Sequence, residues 1–309
     1  MIFSDECIQL VAEEDPATLA AMDARGILPG PGETGTQFAE RLKTLNHNLA
    51  EMNKALDEQG VVTMAGVRLK REARIPAEHF DEAAAVTEPS YGIRVDWVPG
   101  FFVNPKFSWL FGGCAFYQYP DFLALFIIRR SFAKCRRWLI YRRDELLAHE
   151  LCHVARMALN SQVFEEHFAY RISTSRFRRV IGPVVRRPAE SFAVLACCFL
   201  LLGAQVVKVT WLPALRMFPF WFLLAAVLAF LGARLRRELL TLNAAVESLN
   251  RVFPDHGEQA AFRLDDAEIA DLAESDDSAE AVEAKLPNDL RTRIMRERFG
   301  TSTSDSESG

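Results

Sequence analysis

The sequence predicts an α+β fold that carries a two-helix transmembrane hairpin. Three observations lead there. Apolar residues recur at three- and four-residue steps across residues 36–58, and a second helical stretch holds residues 149–153. Residues 61–128 have strand and loop composition instead. Two uncharged apolar blocks, 191–207 and 217–233, then follow one another with Lys208, Pro213 and Arg216 between them.

Taken in order, residues 16–25 can form a short helix ended by Gly26, and the Pro/Gly-rich stretch 27–32 makes a turn. Phe38, Leu42, Leu45, Leu49 and Met52 line one face of the next helix, which predicts an amphipathic packing element. Residues 61–64 and 93–98 read as strands. Gly112 and Gly113 allow a bend in an aromatic stretch, 107–119. The apolar run 122–128 is too short to span a bilayer and reads as a buried strand. Arg129, Arg130, Arg136, Arg137, Arg142 and Arg143 follow, and predict a solvated or headgroup-facing surface.

Each uncharged block lies at the short end of the roughly 17–25 residues that a spanning helix needs, and flanking arginines can snorkel to lengthen it. The competing assignment is a pair of buried core helices. Arg176, Arg178, Arg179, Arg186 and Arg187 precede the first span, and Arg234, Arg236 and Arg237 follow the second. The positive-inside rule therefore puts both flanks, and both termini, in the cytoplasm of an inner, cytoplasmic membrane. Beyond Leu239 a helix runs to about Arg251, and an acidic stretch, 265–283, follows, in which Ile269 and Leu272 can supply a packing face. This stretch is expected to be solvated, or else to cover a cleft. The Ser/Thr-rich end, 301–309, is expected to be disordered. The division expected is a helical region 1–60, a central domain 61–187, the hairpin 188–235, a cytoplasmic helical and acidic region 236–300, and the tail 301–309.

Composition narrows the function. A net charge of −5 gives no reason to expect nucleic acid. Cys7, Cys114, Cys135, Cys152, Cys197 and Cys198 form no C-x-x-C pair, so neither a cysteine zinc site nor a disulfide framework is indicated, which fits a reducing compartment. The acidic start, Met1 to Glu6, lacks the basic and apolar regions of a signal peptide.

The chemistry is concentrated in His149-Glu150-Leu151-Cys152-His153, an H-E-x-x-H motif. On a helix, residues four apart share a face, so the two imidazoles can converge on one metal ion. Glu150 is then placed to take a proton from a metal-activated water. Cys152 points off that face. A catalytic zinc needs a third protein ligand. The motif helix breaks at Asn160-Ser161, and a second helical segment begins near Val163, so the two helices can lie antiparallel. That segment contains Glu165 and Glu166.

Here the sequence resembles the gluzincin class of zinc metallopeptidases, over residues 147–172 only. The resemblance implies a zincin-like catalytic domain, Zn2+ as cofactor, protein or peptide substrates, and a glutamate ligand from the second helix. Glu166-His167-Phe168-Ala169-Tyr170 matches the family context with Glu166 as ligand, while Tyr170 stands where the family often has aspartate. Helix geometry offers the other choice: Phe164, Phe168, Ala169 and Ile172 define an apolar arc that includes Glu165, and a buried carboxylate needs a partner such as a metal. The glutamate left over can pair with Arg156. His167 is a weaker ligand candidate, and Tyr170 can hydrogen-bond an oxyanion or simply pack. The expected function is a membrane-anchored zinc endopeptidase with Glu150 as general base at a cytoplasm-facing site. The alternatives are a non-enzymatic membrane protein with a structural or vacant site, and a zinc hydrolase of a non-peptide bond.

Overall fold

A computed structural model describes residues 2–64, 66–104, 112–118, 123–139, 141–275 and 278–300. The tail 301–309 and residues 107–111 and 119 of the aromatic stretch lie outside the described residues. The chain opens with three helices, α1 (Asp5–Ala12), α2 (Pro16–Ala24) and α3 (Gly35–Gln59). A hairpin, β1 (Val61–Met64) and β2 (Val67–Lys70), leads to α4 (Ala77–Tyr91) and to the strands β3 (Gly100–Val103), β4 (Gly113–Gln118) and β5 (Leu123–Arg129). A small hairpin, β6 (Arg137–Trp138) and β7 (Tyr141–Arg142), precedes α5 (Arg143–Arg156), α6 (Glu165–Arg171) and α7 (Arg176–Ile181). Two long helices, α8 (Pro188–Thr210) and α9 (Phe218–Val252), come next, then α10 (Gly257–Ala261), α11 (Asp266–Ala273), α12 (Ala279–Lys285) and α13 (Leu290–Phe299).

The helix α3 forms where its periodicity predicts. Thr34 and Gln37 close a capping box at its start, Gly60 ends it in the left-handed region at φ 70°, and Phe38, Leu42, Leu45, Leu49 and Met52 are buried. Two expectations fail nearby. Residues 77–91 are helical, not strand or loop. Their buried face is His79, Ala83, Thr87 and Tyr91, residue types whose four-residue spacing carries little hydropathy signal. Residues 93–98 form no strand. Ile93, Val95 and Trp97 alternate inward, but the backbone runs against the end of α2, with Arg94 N–H donating to Ala24 O at 2.7 Å. Burial, without a ladder, accounts for the β-like composition.

The three-stranded sheet has the order β3-β5-β4, with β3 parallel and β4 antiparallel to β5. The apolar run expected as a buried strand is, from Leu123 on, the central strand, Ala124 to Ile128 being buried, and β4 is an edge among the described residues. The arginines after β5 are not a uniform surface. Arg143 is buried against Glu82 and donates to Phe132 O at 2.8 Å, while Arg136 and Arg142 both hold Asp144.

One hydrophobic core runs from Phe3 to Phe299 and joins α1–α6, the sheet, the second half of α9 and α10–α13. Leu242, Ala245 and Leu249 of α9 are fully buried in it, so the boundary at 235/236 falls inside a continuous helix. The first half of α9 and all of α8 behave otherwise. They pack on each other as a hairpin and are long and apolar enough to cross a membrane, the apolar windows of α8 and α9 having mean hydropathies of 2.2 and 1.9 respectively. Only 17% and 11% of these apolar windows is buried, the reverse of a pair of core helices.

Candidate metal centre

Helix α5 starts with Asp144 and Glu145 in its first turn, where the helix dipole favours acids. It ends in a 3-10 turn, Met157–Leu159, and Asn160 reverses the chain at φ 51°, a conformation asparagine tolerates. The turn that follows is pinned from far along the chain. Asp266, at the start of α11, accepts the N–H groups of Gln162 (2.6 Å), Val163 (2.8 Å) and Phe164 (3.1 Å) and the hydroxyl of Ser161 (2.5 Å). Burial would raise its carboxyl, but these donors outweigh burial and hold it below the usual range. The acidic stretch is thus no solvated tail at this point. Asp266 fixes the turn that aims α6 back at α5, and Ile269 and Leu272 supply the predicted packing face.

The two helices bring together His149, His153 and Glu166, with one donor atom from each lying within 4.8 Å of the others. His149 Nε2 and His153 Nε2 are 3.2 Å apart. The Glu166 oxygens lie 3.7 Å from the first and 3.6 Å from the second. Glu165 is elsewhere: it accepts from His153 Nδ1 at 3.1 Å and from Arg156 Nε at 2.9 Å. Its side chain is the more buried of the two glutamates, 15% exposed against 26%, as the apolar arc requires. Its partners, however, are an arginine and the back of an imidazole. Pairing of Nδ1 with a carboxylate turns His153 Nε2 into the pocket, the arrangement that orients metal-ligating histidines. His149 is braced in turn by the backbone of Ala169 on α6.

The donor set fits a cation. Burial opposes a charged His153, but its hydrogen bond to Glu165 and the carboxylates of Glu165, Glu166 and Glu150 push it up to about 9. Burial, followed by the His153 charge, drives His149 well down. Glu150 and Glu166 are both raised, chiefly by burial. The pocket therefore holds two facing imidazole nitrogens among carboxylates and retains a positive charge between them, the place a divalent ion would take. Zinc suits two imidazoles and one carboxylate.

Glu150 turns to the sheet. Its Oε2 accepts the Ala115 N–H of β4 at 2.8 Å. That N–H points away from β5, so by the alternation of antiparallel pairing the main-chain groups of Gly113, Ala115 and Tyr117 face the outer edge of β4. Among the described residues no strand pairs with that edge.

Tyr170 closes the other side, its ring centroid 4.6 Å from that of His149. A Cβ at Gly182 would collide with this ring, which explains glycine there. Burial, then the Glu166 charge, pushes the phenol up to about 12, so it remains a donor. Three supports had no signal in the motif itself. Arg156 is fully buried: besides Glu165 it reaches Phe262 O and Leu264 O, and its guanidinium lies 4.4 Å from the Phe168 ring centre. Glu145, one turn before His149, holds Ser173, Thr174 and Arg178. His167 is not a ligand. It is buried and meets Glu238 of α9 at 3.0 Å, and Glu238 also pairs with Arg186 at 2.7 Å, which ties α6 to the base of the hairpin. Cys152 is a buried thiol, raised by burial.

No family model, no curated protein and no solved structure matches this chain.

Proposed function

We propose that the chain is a zincin-like, membrane-anchored zinc metalloendopeptidase whose site faces the cytoplasm. The observation that carries this reading is the conjunction of the His149–His153–Glu166 group with Glu150 bonded to the outer edge of β4. Zinc held by these three residues would polarise a scissile carbonyl and make water acidic enough to act near neutral pH. Glu150, its carboxyl raised by burial, accepts the proton from the attacking water and returns it to the departing amine. The open edge of β4 offers N–H and C=O groups to an extended peptide, which favours a peptide over a compact small-molecule substrate. An incoming strand competes with Glu150 for the Ala115 N–H and releases the carboxylate for proton transfer. Tyr170, still protonated, can donate to the developing oxyanion. Glu165 and Arg156 hold His153 and take no part in proton transfer.

The sidedness rests on the arginines that flank both ends of the hairpin and on six free cysteines. Only 18 residues lie between Tyr170 and Ala189, where the first apolar window begins, so substrates are expected close to the inner membrane surface.

The deciding experiment compares wild type with Glu150→Gln, purified with zinc, on an unbiased peptide library. The variant is expected to keep stoichiometric zinc and lose hydrolysis by at least about 100-fold. Full activity in Glu150→Gln would sink the mechanism. Protein that never carries stoichiometric zinc, with stability indifferent to chelator, would favour the non-enzymatic alternative. Turnover of non-peptide substrates alone would favour the third.

A further inference from the structure

We propose that α7 and the turn behind it, with the β6–β7 turn beside them, form an in-plane seat on an anionic lipid surface. The inference rests on the membrane reading of the hairpin and not on the peptidase reading.

Helix α7 is built the wrong way round for water. Phe177 is 73% exposed, and Val180, Ile181 and Val185 are exposed beside it. Between these apolar groups stand arginines, and no acidic residue occurs between Glu166 and Glu190. Arg178 and Arg186 are committed inward, to Glu145 and Glu238. Arg176, Arg179 and Arg187 lie on the outside, as do Arg236 and Arg237 at the base of α9. Apolar side chains interleaved with unopposed arginines match the boundary between acyl chains and anionic headgroups.

The segment is held at the base of the hairpin. It runs directly into α8, Arg234 of α9 donates to Val184 O at 2.6 Å, and Tyr170 of the metal-site helix packs on Gly182. The β6–β7 hairpin lies beside α7, the Arg178 guanidinium being 5.3 Å from the Tyr141 ring centre. At the tip of that turn Leu139 is 50% exposed and held at φ 51°, a conformation that leucine rarely adopts and that a soluble turn gives to glycine or asparagine. Continuity with the exposed apolar hairpin and the uniform positive charge select lipid over a protein partner.

The test uses the full chain in vesicles of phosphatidylcholine, with or without about one-third phosphatidylglycerol. A photoreactive benzoylphenylalanine replaces Phe177, or Phe222 within the hairpin, or Glu58 on the far end of α3. Lipid adducts are expected at 222 and 177 and not at 58. The adduct at 177 should be several-fold stronger in the anionic vesicles, since one arginine near such a surface contributes about fivefold. R176E with R187E should remove that difference and leave the adduct at 222 unchanged. Lipid adducts at 222 with none at 177 would overturn the seat and leave the hairpin standing. A covalent dimer at 177 would overturn it in favour of a protein contact, and equal adducts in both lipids would overturn its anionic character. No adduct at 222 would defeat the membrane reading and the seat with it.

Discussion

The antiparallel pairs α5/α6 and α8/α9 solve opposite problems. In the first, Asp144, Glu145, Glu150, Arg156 and His167 are all buried, and each has a charged or backbone partner. In the second, Phe192, Phe199, Trp221, Phe222 and Phe230 are all more than half exposed. A buried charge is tolerable only when paired, so the first pair spends its polar groups on one another around the metal pocket. A large exposed apolar surface is unfavourable in water, and the second pair, long and apolar enough to cross a membrane, keeps its apolar side chains outside the core. Helix α9 passes from one regime to the other without a break. Phe222 faces outward, Leu242 and Leu249 are fully buried, and the change falls at Arg234 and Glu238, where α9 meets α6 through His167.

This contrast can be broken most severely at Arg156. Arg156→Met removes the arginine of a buried pair, leaves Glu165 with His153 alone and strands two carbonyls, and should cost about 3 kcal/mol. Thermal unfolding of the detergent-solubilised protein measures it, and a loss below about 1 kcal/mol would mean the polar brace is not holding α5 to α6. The hairpin offers the mirror experiment. Leu223→Arg at an exposed position should weaken membrane insertion by about 2.5–3.5 kcal/mol if its surroundings are lipid. On a water-facing helix the same change stays within about 0.5 kcal/mol. Glycosylation-mapped insertion of the span separates the two.

Smaller effects sharpen the metal pocket. Glu165→Gln should weaken zinc binding by about 10–100-fold, as loss of a carboxylate behind a ligand histidine does. Glu166→Gln, at the ligand itself, should cost more, and competition with a chromophoric chelator ranks them. The reverse ranking would make Glu165 the ligand. Asp266→Asn should cost about 1 kcal/mol near neutral pH, by weakening the acceptor for three backbone N–H groups. Because the folded carboxyl is lowered, its contribution is fully present above the unfolded value near 3.8 and is lost as pH falls below it. The variant's stability should therefore lack the component of acid sensitivity that wild type shows below about pH 4.

Much of this was legible in the chain, and the misses are specific. The spacing of His149 and His153 and the apolar face of α3 are periodic, the two apolar helices are uncharged runs, and these local features occur where the sequence predicts them. Helix α4 was hidden because its inward face is His, Ala, Thr and Tyr. Segment 93–98 misled because alternating burial against α2 imitates a strand. For the third ligand, amphipathicity correctly marked Glu165 as the more buried carboxylate. It could not name the partner, because Arg156 and His153 are already available to satisfy that charge.

The sequence by itself indicated two histidines on one helix face and two helices apolar enough to cross a membrane. Both follow from helical periodicity and from runs of one residue type, which act over a few turns. Only the tertiary structure decided which glutamate faces the two Nε2 atoms. It alone also revealed that Asp266, a hundred residues on, aims α6, that among the described residues no strand pairs with the β4 edge beside Glu150, and that α9 enters the core without a linker. Each of these depends on hydrogen bonds and burial between segments far apart in sequence, and no local pattern encodes where such segments meet.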